Sequence, residues 1–568
     1  MRRATACTAT IAAAAILLSG ATVAVADPPP SVPNLGRVVR GPDTLLMISL
    51  PRPHAAKHGT APTSWDFDGD GVDDLALTAD TSLADSVYDV VGDVMIDGSV
   101  VVTYSSVPRE DVLGSAWPAT RTSGAITFGT ALTAGDFDGD GYDDLAIGDA
   151  DDSVDGRQAH EGAGAVWIVP GSAAGLQLAR SRRVTQDSAG VPGKAERADW
   201  FGFSVAAGDV DADGYDDLAV GAPNESVGRL AGAGAVTVLL GGPRGLSGRG
   251  ARTITQNTAG LPGAAERGDE FGWSVAIGRV GKDRFADVVI GAPRENFSGN
   301  TLVFCADCTD GTGGLTVLRG SSRGVTTAGA VTVGGRALAK HAKASGTMPD
   351  GTFLWRLGES VAIGDLDGDS FGDVVVGDGA AQVGGSIGPG AVIAVSGGRS
   401  TVDITRVRVV NRASAHVSYG PQTDENFGAA VAVGDLTGDG RADVVVGSRR
   451  AVGGKEGAGA VTILRGSKAG LTGSGSTTFT QAGALVPGAP ETADAFGGSV
   501  RILSTDGTGR PELLVASEDE SLAHTWSTGM VSTFSVGRAS VKLRANVSAL
   551  AFTQADWVPW IHRVRLAR

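Results

Sequence analysis

Short apolar runs alternate with glycine-rich and acidic stretches along most of the chain. Runs of four to six mainly β-branched residues, as in GAGAVTVLLGG from Gly232, are bounded by Gly, Pro and Asp. This pattern is typical of short strands joined by tight turns. After residue 26 the sequence has no comparable helical periodicity. We therefore predict an all-β chain.

One acidic motif recurs at a nearly constant interval. Five copies have carboxylates at positions 1, 3, 5 and 9 of a short loop, with one substitution, Thr437, and each loop then enters an apolar strand. The first positions of five copies are Asp66, Asp136, Asp209, Asp365 and Asp435. Two worn copies have Arg279 and Ser504 at this position, so seven units recur about every 73 residues.

Each unit has the same order of predicted strands. Residues 204–207 lead into an acidic loop, residues 218–220 leave it, a glycine-rich turn opens a third strand, and residues 253–256 form a fourth. Seven such units predict a seven-bladed β-propeller of four-stranded blades, because radial closure hides the strand edges. Either residues 45–50 or residues 549–554 could supply the outer strand of the last blade.

The acidic loops have the residue types that a hard divalent cation requires. Asp at positions 1, 3 and 5 can converge on one Ca²⁺, with the carbonyl of position 7 and the carboxylate of position 9 as further ligands. An EF-hand would need Glu at position 12, where these loops have Leu77, Ile147 or Val220. We predict about five calcium sites. Their ligands are Asp66, Asp68, Asp70, Val72 and Asp74; Asp136, Asp138, Asp140, Tyr142 and Asp144; Asp209, Asp211, Asp213, Tyr215 and Asp217; Asp365, Asp367, Asp369, Phe371 and Asp373; and Asp435, Thr437, Asp439, Arg441 and Asp443.

The loops are not equally suited to a cation. The fourth contains Arg279 and Lys282, so we predict no calcium there and expect the arginine to pair with the remaining carboxylates. The seventh, from Ser504, is a weak site at most. The fifth has Ser370 where Gly is usual, and the sixth has Thr437 in place of Asp; both are still expected to bind.

Paired motifs flank the loops: FG at 201–202 with GAP at 221–223, and FG at 271–272 with GAP at 291–293. In this the chain resembles the FG-GAP repeats of the integrin α-subunit propeller and its bacterial relatives, over about residues 55–554. The resemblance implies that the connections between second and third strands lie opposite the calcium loops and help to form a ligand surface. Trp200, Glu270, Trp355 and the loop 294–312 are then candidates for partner contact.

Three further motifs have a simpler explanation. The G-x-S-x-G pattern at 320–324 lies where sister units have the turn after the third strand, so we do not expect a nucleophile. The tripeptide Arg-Gly-Asp at 267–269 differs by one Ala-to-Gly change from residues 197–199. Cys305 and Cys308 can close a local disulfide; a redox role or a zinc site is less favoured.

Composition narrows the choice of partner and compartment. The chain has 568 residues, a net charge of −16 and 5% aromatic residues. This acidic balance argues against nucleic acid and anionic membranes. Residues 1–26 have the features of an export signal: Arg2 and Arg3, an apolar stretch at 11–18, and small residues before Asp27. The segment 27–54 could contribute a closing strand, and a tail covers 555–568.

We therefore expect a secreted, calcium-binding monomer without a membrane-inserted segment. Its function would be adhesion-like: it would bind a protein or glycan on the face opposite the calcium loops. The alternative is an extracellular hydrolase or lyase that uses the central face of the propeller. Such an enzyme needs His, Glu or Asp side chains that converge outside the acidic loops, and the sequence has no recognisable set of this kind.

Overall fold

The computed structural model describes residues 45–49, 65–80, 90–91, 94–105, 110–118, 128–153, 161–295, 312–486, 488–505, 508–517, 530–538, 540–548 and 563–565. The chain divides into two units, Met1–Asn34 and Leu35–Arg568, and all the described residues belong to the second. The predicted export signal, both cysteines of residues 305–308 and the predicted strand 549–554 lie outside the described residues. Among the described helices, none is long and apolar enough to cross a membrane.

The sheet nearest the N-terminus has six strands. They are β1 (Leu45–Ser49), β2 (Leu75–Asp80), β3 (Val90–Val91), β4 (Val94–Thr103), β5 (Glu110–Pro118) and the C-terminal strand Arg563–Arg565. The C-terminal strand pairs with β2, and β1 pairs with β5. Residues 45–49 therefore belong to the first sheet and not to the last blade, which was one of the two alternatives that the sequence left open.

Six four-stranded antiparallel blades follow in a β-propeller arrangement, which confirms the all-β class. The first three consist of β6 (Phe128–Gly135), β7 (Asp144–Asp149), β8 (Ala165–Val169) and β9 (Arg182–Val184); β10 (Ser204–Gly208), β11 (Asp217–Ala222), β12 (Ala235–Leu240) and β13 (Ser247–Ile254); and β14 (Ser274–Gly278), β15 (Asp287–Ala292), β16 (Thr312–Arg319) and β17 (Thr326–Gly334).

Between the third and fourth of these blades the chain forms one helix and short ladders. The helix is α1 (Gly335–Ala344), followed by β18 (Thr352–Phe353) and β19 (Arg356–Leu357), which pairs in parallel with β16. The sequence prediction of no helix is wrong here. A ten-residue helix that buries only Leu338 and Ala342 among its larger apolar side chains is too short to give a clear periodic signal.

The remaining blades keep the same strand order. They consist of β20 (Ser360–Gly364), β21 (Asp373–Asp378), β23 (Ala391–Val395) and β24 (Val407–Val410), with β22 (Gln382–Val383) paired to β18; β25 (Ala430–Gly434), β26 (Asp443–Ser448), β27 (Ala460–Leu464) and β28 (Thr477–Phe479); and β29 (Phe496–Leu503), β30 (Glu512–Ser517), β31 (Met530–Val536) and β32 (Val541–Ser548). The C-terminal strand of the first sheet is β33.

Burial follows the position of a strand within its blade. The first strands of successive blades, from β6 to β29, contact one another, and most of their residues are only half-buried. The second strands are buried along their whole length, as in β11 and β15. A strand covered on both faces by neighbouring sheets has an almost continuous apolar sequence. This explains why residues such as 288–290 are uninterrupted Val and Ile.

Glycine contacts join each blade to the next. Within one blade the N–H of Gly202 donates to the carbonyl of Gly221 at 3.0 Å. A Cβ on Gly221 would lie 2.1 Å from the carbonyl oxygen of Gly272, the equivalent of Gly202 in the following blade. The Ser204 hydroxyl donates to that same carbonyl at 2.8 Å. The two glycines therefore allow a close backbone approach that any side chain would prevent.

Candidate metal centres

The acidic loops are shaped by their own backbone amides. Asp136 Oδ1 accepts the N–H groups of positions 4 and 5 at 2.7 and 3.1 Å, and its Oδ2 accepts that of position 6 at 2.9 Å. Asp140 in turn accepts the N–H of Tyr142 at 3.1 Å. The same contacts surround Asp66 and Asp365. Asp and Gly alternate here because Asp side chains cap such turns and Gly tolerates their backbone angles.

In four loops three carboxylates come close enough to share one ion, with one oxygen of each within 4.8 Å of the others. Two oxygens bound to the same Ca²⁺ at 2.3–2.6 Å can be no more than about 5 Å apart. Asp70 Oδ2 and Asp211 Oδ1 are buried and accept no hydrogen bond, which is costly without a cation. The residues therefore fit a hard divalent cation. The groups are Asp66, Asp68 and Asp70; Asp136, Asp138 and Asp140; Asp209, Asp211 and Asp217; and Asp365, Asp367 and Asp373.

The carboxylate of position 9 also fastens the loop to its blade. Asp144 Oδ2 accepts the N–H of Phe137 at 3.2 Å, and its Oδ1 accepts that of Gly171, after the third strand, at 2.9 Å. Asp287 of the worn fourth loop keeps a similar pair of bonds, at 3.1 and 3.0 Å. Burial raises the pKa of Asp144 to about 8 and that of Asp74 to about 9. A bound cation would favour the ionised forms.

Successive loops are linked by backbone hydrogen bonds. The N–H of position 8 donates to the carbonyl of position 1 in the preceding loop, as Asp216 does to Asp136 at 3.0 Å. The same bond joins Asp73 of the first loop to Ser504 of the seventh at 3.2 Å, and Asp73 Oδ2 accepts the N–H of Ser504 at 2.7 Å. The seventh loop has Pro511 at position 8, which has no N–H to donate.

Arginines contact the carboxylates of the less regular loops. In the fourth loop Arg319 binds Asp283 at 2.7 Å, whereas Arg279 reaches only the Asp283 carbonyl, at 3.2 Å. The expectation that Arg279 pairs with the remaining carboxylates is therefore wrong, because a neighbouring strand supplies the guanidinium. In the sixth loop Arg441 binds Asp439 at 2.7 Å. The described carboxylates of that loop do not form a close group of three.

A fifth group of carboxylates lies outside the acidic loops, and the sequence analysis missed it. One oxygen each of Glu266, Asp269 and Glu295 lies within 4.8 Å of the others. The signal was present: Glu and Asp recur at the same offsets before the loops at Asp209 and Ser504. Asp269 has no exposed surface, so the Arg-Gly-Asp tripeptide at 267–269 cannot present its carboxylate to a partner.

Aromatic side chains form a row on the other face of the propeller. Because a loop joins the end of each first strand to the second, residues that precede β10 and β14 lie opposite the acidic loops. Trp200 stacks on Phe203 with ring centroids 5.9 Å apart, and Phe203 contacts Trp273 at 4.7 Å. All three are half-buried. Glu270, next to this row, binds Arg294 at 3.1 Å.

The FG-GAP repeat family matches residues 128–169, 201–239 and 427–464, three separate units of the propeller. The chain therefore contains FG-GAP repeats. Among curated proteins this FG-GAP chain is similar to integrin alpha-PS2 of Drosophila melanogaster, with 35% identity over 28% of this chain and 11% of that protein. It is also similar to phosphatidylinositol-glycan-specific phospholipase D of Bos taurus, with 32% identity over 33% of this chain and 22% of that protein.

These curated relatives are much longer, and the matched part of the FG-GAP chain spans less than a quarter of either. Among solved structures, a rhamnogalacturonan lyase PL11 of Bacillus licheniformis aligns with 77% of this chain and 68% of its own, at 14% identity and a TM-score of 0.32. At that score the likeness adds nothing to the choice between a binding protein and an enzyme.

Proposed function

We propose that this FG-GAP protein is an exported, calcium-binding, seven-bladed propeller that binds a protein or glycan ligand on the face opposite its acidic loops. The export signal at 1–26 and the acidic composition support the extracellular part of this proposal. The observation that carries the binding part is the aromatic row Trp200–Phe203–Trp273, which lies on one open face of a repeat built otherwise from small residues.

Two features support a seventh blade. The sheet at the N-terminus has β2 and β4 in the places that second and third strands have elsewhere, and β33 lies beside β2 where a first strand would be. The pair of hydrogen bonds between Asp73 and Ser504 joins its acidic loop to that of the last blade. A ring in which the C-terminal strand completes the first blade accounts for both.

Calcium in the loops is supported by the four close carboxylate groups and by buried oxygens without partners. Positions 1, 3, 5 and 9 would hold the ion, with the carbonyl of position 7 as a further ligand. The fifth loop has an additional contact, from Arg406 to Asp367 at 2.8 Å. We expect Arg406 to weaken calcium binding there, because its charge occupies part of the site. The sixth loop should bind weakly, since Arg441 already pairs with Asp439.

The metal part can be tested by titrating chelator-treated protein with Ca²⁺ in a calorimeter and measuring unfolding with and without the ion. Uptake of three or more ions and a stability gain are expected. No uptake would refute it.

For the ligand part, a glycan array and a panel of extracellular matrix proteins would be probed with the wild type and with Trp200→Ala and Trp273→Ala. Lys468→Ala, at an exposed position in the turn after β27, beside the acidic loops, is the control. Loss of binding in the tryptophan variants alone supports the proposed face.

A further inference from the structure

The carboxylates of Glu266, Asp269 and Glu295 form a compact group away from every acidic loop. Asp269 and Glu295 are buried, with 0% and 4% of their surfaces exposed. Asp269 Oδ2 accepts the N–H of Glu266 at 2.5 Å, but its Oδ1 is buried and accepts no hydrogen bond. A buried carboxylate oxygen without a partner is expensive, so something at this place must compensate it.

Among the described residues, no positive side chain neutralises the group. Within the described part of the chain, none of the three carboxylates forms an ion pair; Arg294, beside Glu295, binds Glu270 instead. The following segment, 296–311, contains no Lys, Arg or His. Glu295 accepts a hydrogen bond from the side-chain amide of Gln256, which is neutral. Burial, and then the charge of Asp269, raises the pKa of Glu295 to about 8.

Another blade shows how the same place can be neutralised. Gln256 precedes Arg279 by 23 residues, and Arg412 precedes Asp435 by the same interval. Arg412 Nε binds Glu425 at 2.6 Å, and neither side chain is exposed. Glu425 in turn corresponds in position to Asp269. In that blade an arginine stands where this one has Gln256, and Arg412 and Arg450 together neutralise the buried Glu425.

We propose that Glu266, Asp269 and Glu295 bind one divalent cation of the calcium class. The site lies between the end of β13, the outer strand of one blade, and the segments before β14 and after β15 in the next blade. The donors are all oxygens, as Ca²⁺ prefers, and their mutual distances fit bonds of about 2.4 Å to a single ion. Gln256, which follows β13, joins the preceding blade to this site. The ion would therefore fasten two blades on the face that carries the aromatic row.

The test counts Ca²⁺ ions bound per full-length chain by native mass spectrometry. Glu295→Gln should lower the count by one. Gln256→Arg should also lower it by one while keeping the fold, because it supplies the guanidinium that Arg412 provides in the other blade. Glu225→Gln is the matched control: it makes the same change at the equivalent position of the preceding blade, whose described carboxylates do not form a close group.

An unchanged count in both Glu295→Gln and Gln256→Arg would overturn the proposal and leave a shared proton as the compensating charge. A loss of one ion in Glu225→Gln as well would overturn the assignment to this blade alone. Failure of the proposed calcium loops can be distinguished from failure of this site. If the wild type binds a single ion that Glu295→Gln abolishes, this site stands and the calcium loops do not.

Discussion

Replacing Gly447 by alanine should destabilise the propeller more than its small size suggests. A Cβ at this position would lie 1.9 Å from the carbonyl oxygen of Gly497 in the next blade, whereas real Cβ contacts stay beyond 3.0 Å. The backbones of two blades would have to separate by more than 1 Å. Forcing extra atoms into a packed interior costs about 1–3 kcal/mol. We expect a loss near the upper end, because the obstacle is backbone and not a movable side chain.

Gly420→Ala is the matched control. A Cβ at Gly420 would meet no atom within 4 Å, and the φ of this residue is not positive, so alanine there should be neutral or stabilise by about 0.4–1 kcal/mol. The two variants should therefore differ by roughly 2–4 kcal/mol in the free energy of unfolding. Urea unfolding in calcium buffer, followed by tryptophan fluorescence, measures this difference if the slopes agree. If the urea midpoint of Gly447→Ala equals that of the control, the explanation that Gly447 is required for the close approach of two blades is refuted.

Three further predictions concern charged groups. Arg412→Ala should cost about 3 kcal/mol in urea unfolding, the lower end of the range for a broken buried ion pair, because the buried Glu425 keeps Arg450 as its remaining partner; a loss below about 1 kcal/mol would contradict this. Asp140→Asn should remove calcium from the second loop without unfolding its blade, which calorimetry and circular dichroism would check together; unchanged uptake would count against that site. Burial raises the pKa of Asp378 to about 7, above its unfolded value, so its contribution to stability is complete below about pH 4 and lost as pH rises to about 7. With saturating calcium, Asp378→Asn should flatten the fall in unfolding free energy between pH 5 and 7, and an unchanged slope would argue against Asp378 as its source.

The strand order and the acidic loops were predictable because each depends on local sequence. In a loop such as 136–144, the carboxylates of positions 1 and 5 accept backbone N–H groups of the same loop, so the spacing of the aspartates is enough to predict the turn. The contacts between units were harder to foresee. The bond from Asp216 to Asp136 joins residues 80 apart, and only the folded ring brings them together. Likewise Arg319 reaches Asp283 from another strand, so the loop sequence could not name it.

The ends of the chain and the helix were also hidden from sequence reasoning. β33 has three residues, too few to give an alternating pattern, and its place depends on where β2 lies in the fold. The group at Asp269 was overlooked because its members are 29 residues apart along the chain and carry no metal-loop spacing. Internal repetition would have found it: comparison of equivalent offsets shows Arg412 where Gln256 stands.

Pro511 interrupts the series of hydrogen bonds between successive acidic loops. In the other described links, one amide fastens each loop to its predecessor, but the seventh loop has a residue that cannot donate. The series of hydrogen bonds between successive loops is therefore interrupted between the last two blades. We therefore expect thermal opening of the propeller to begin between these two blades, with the bond between Asp73 and Ser504 still intact.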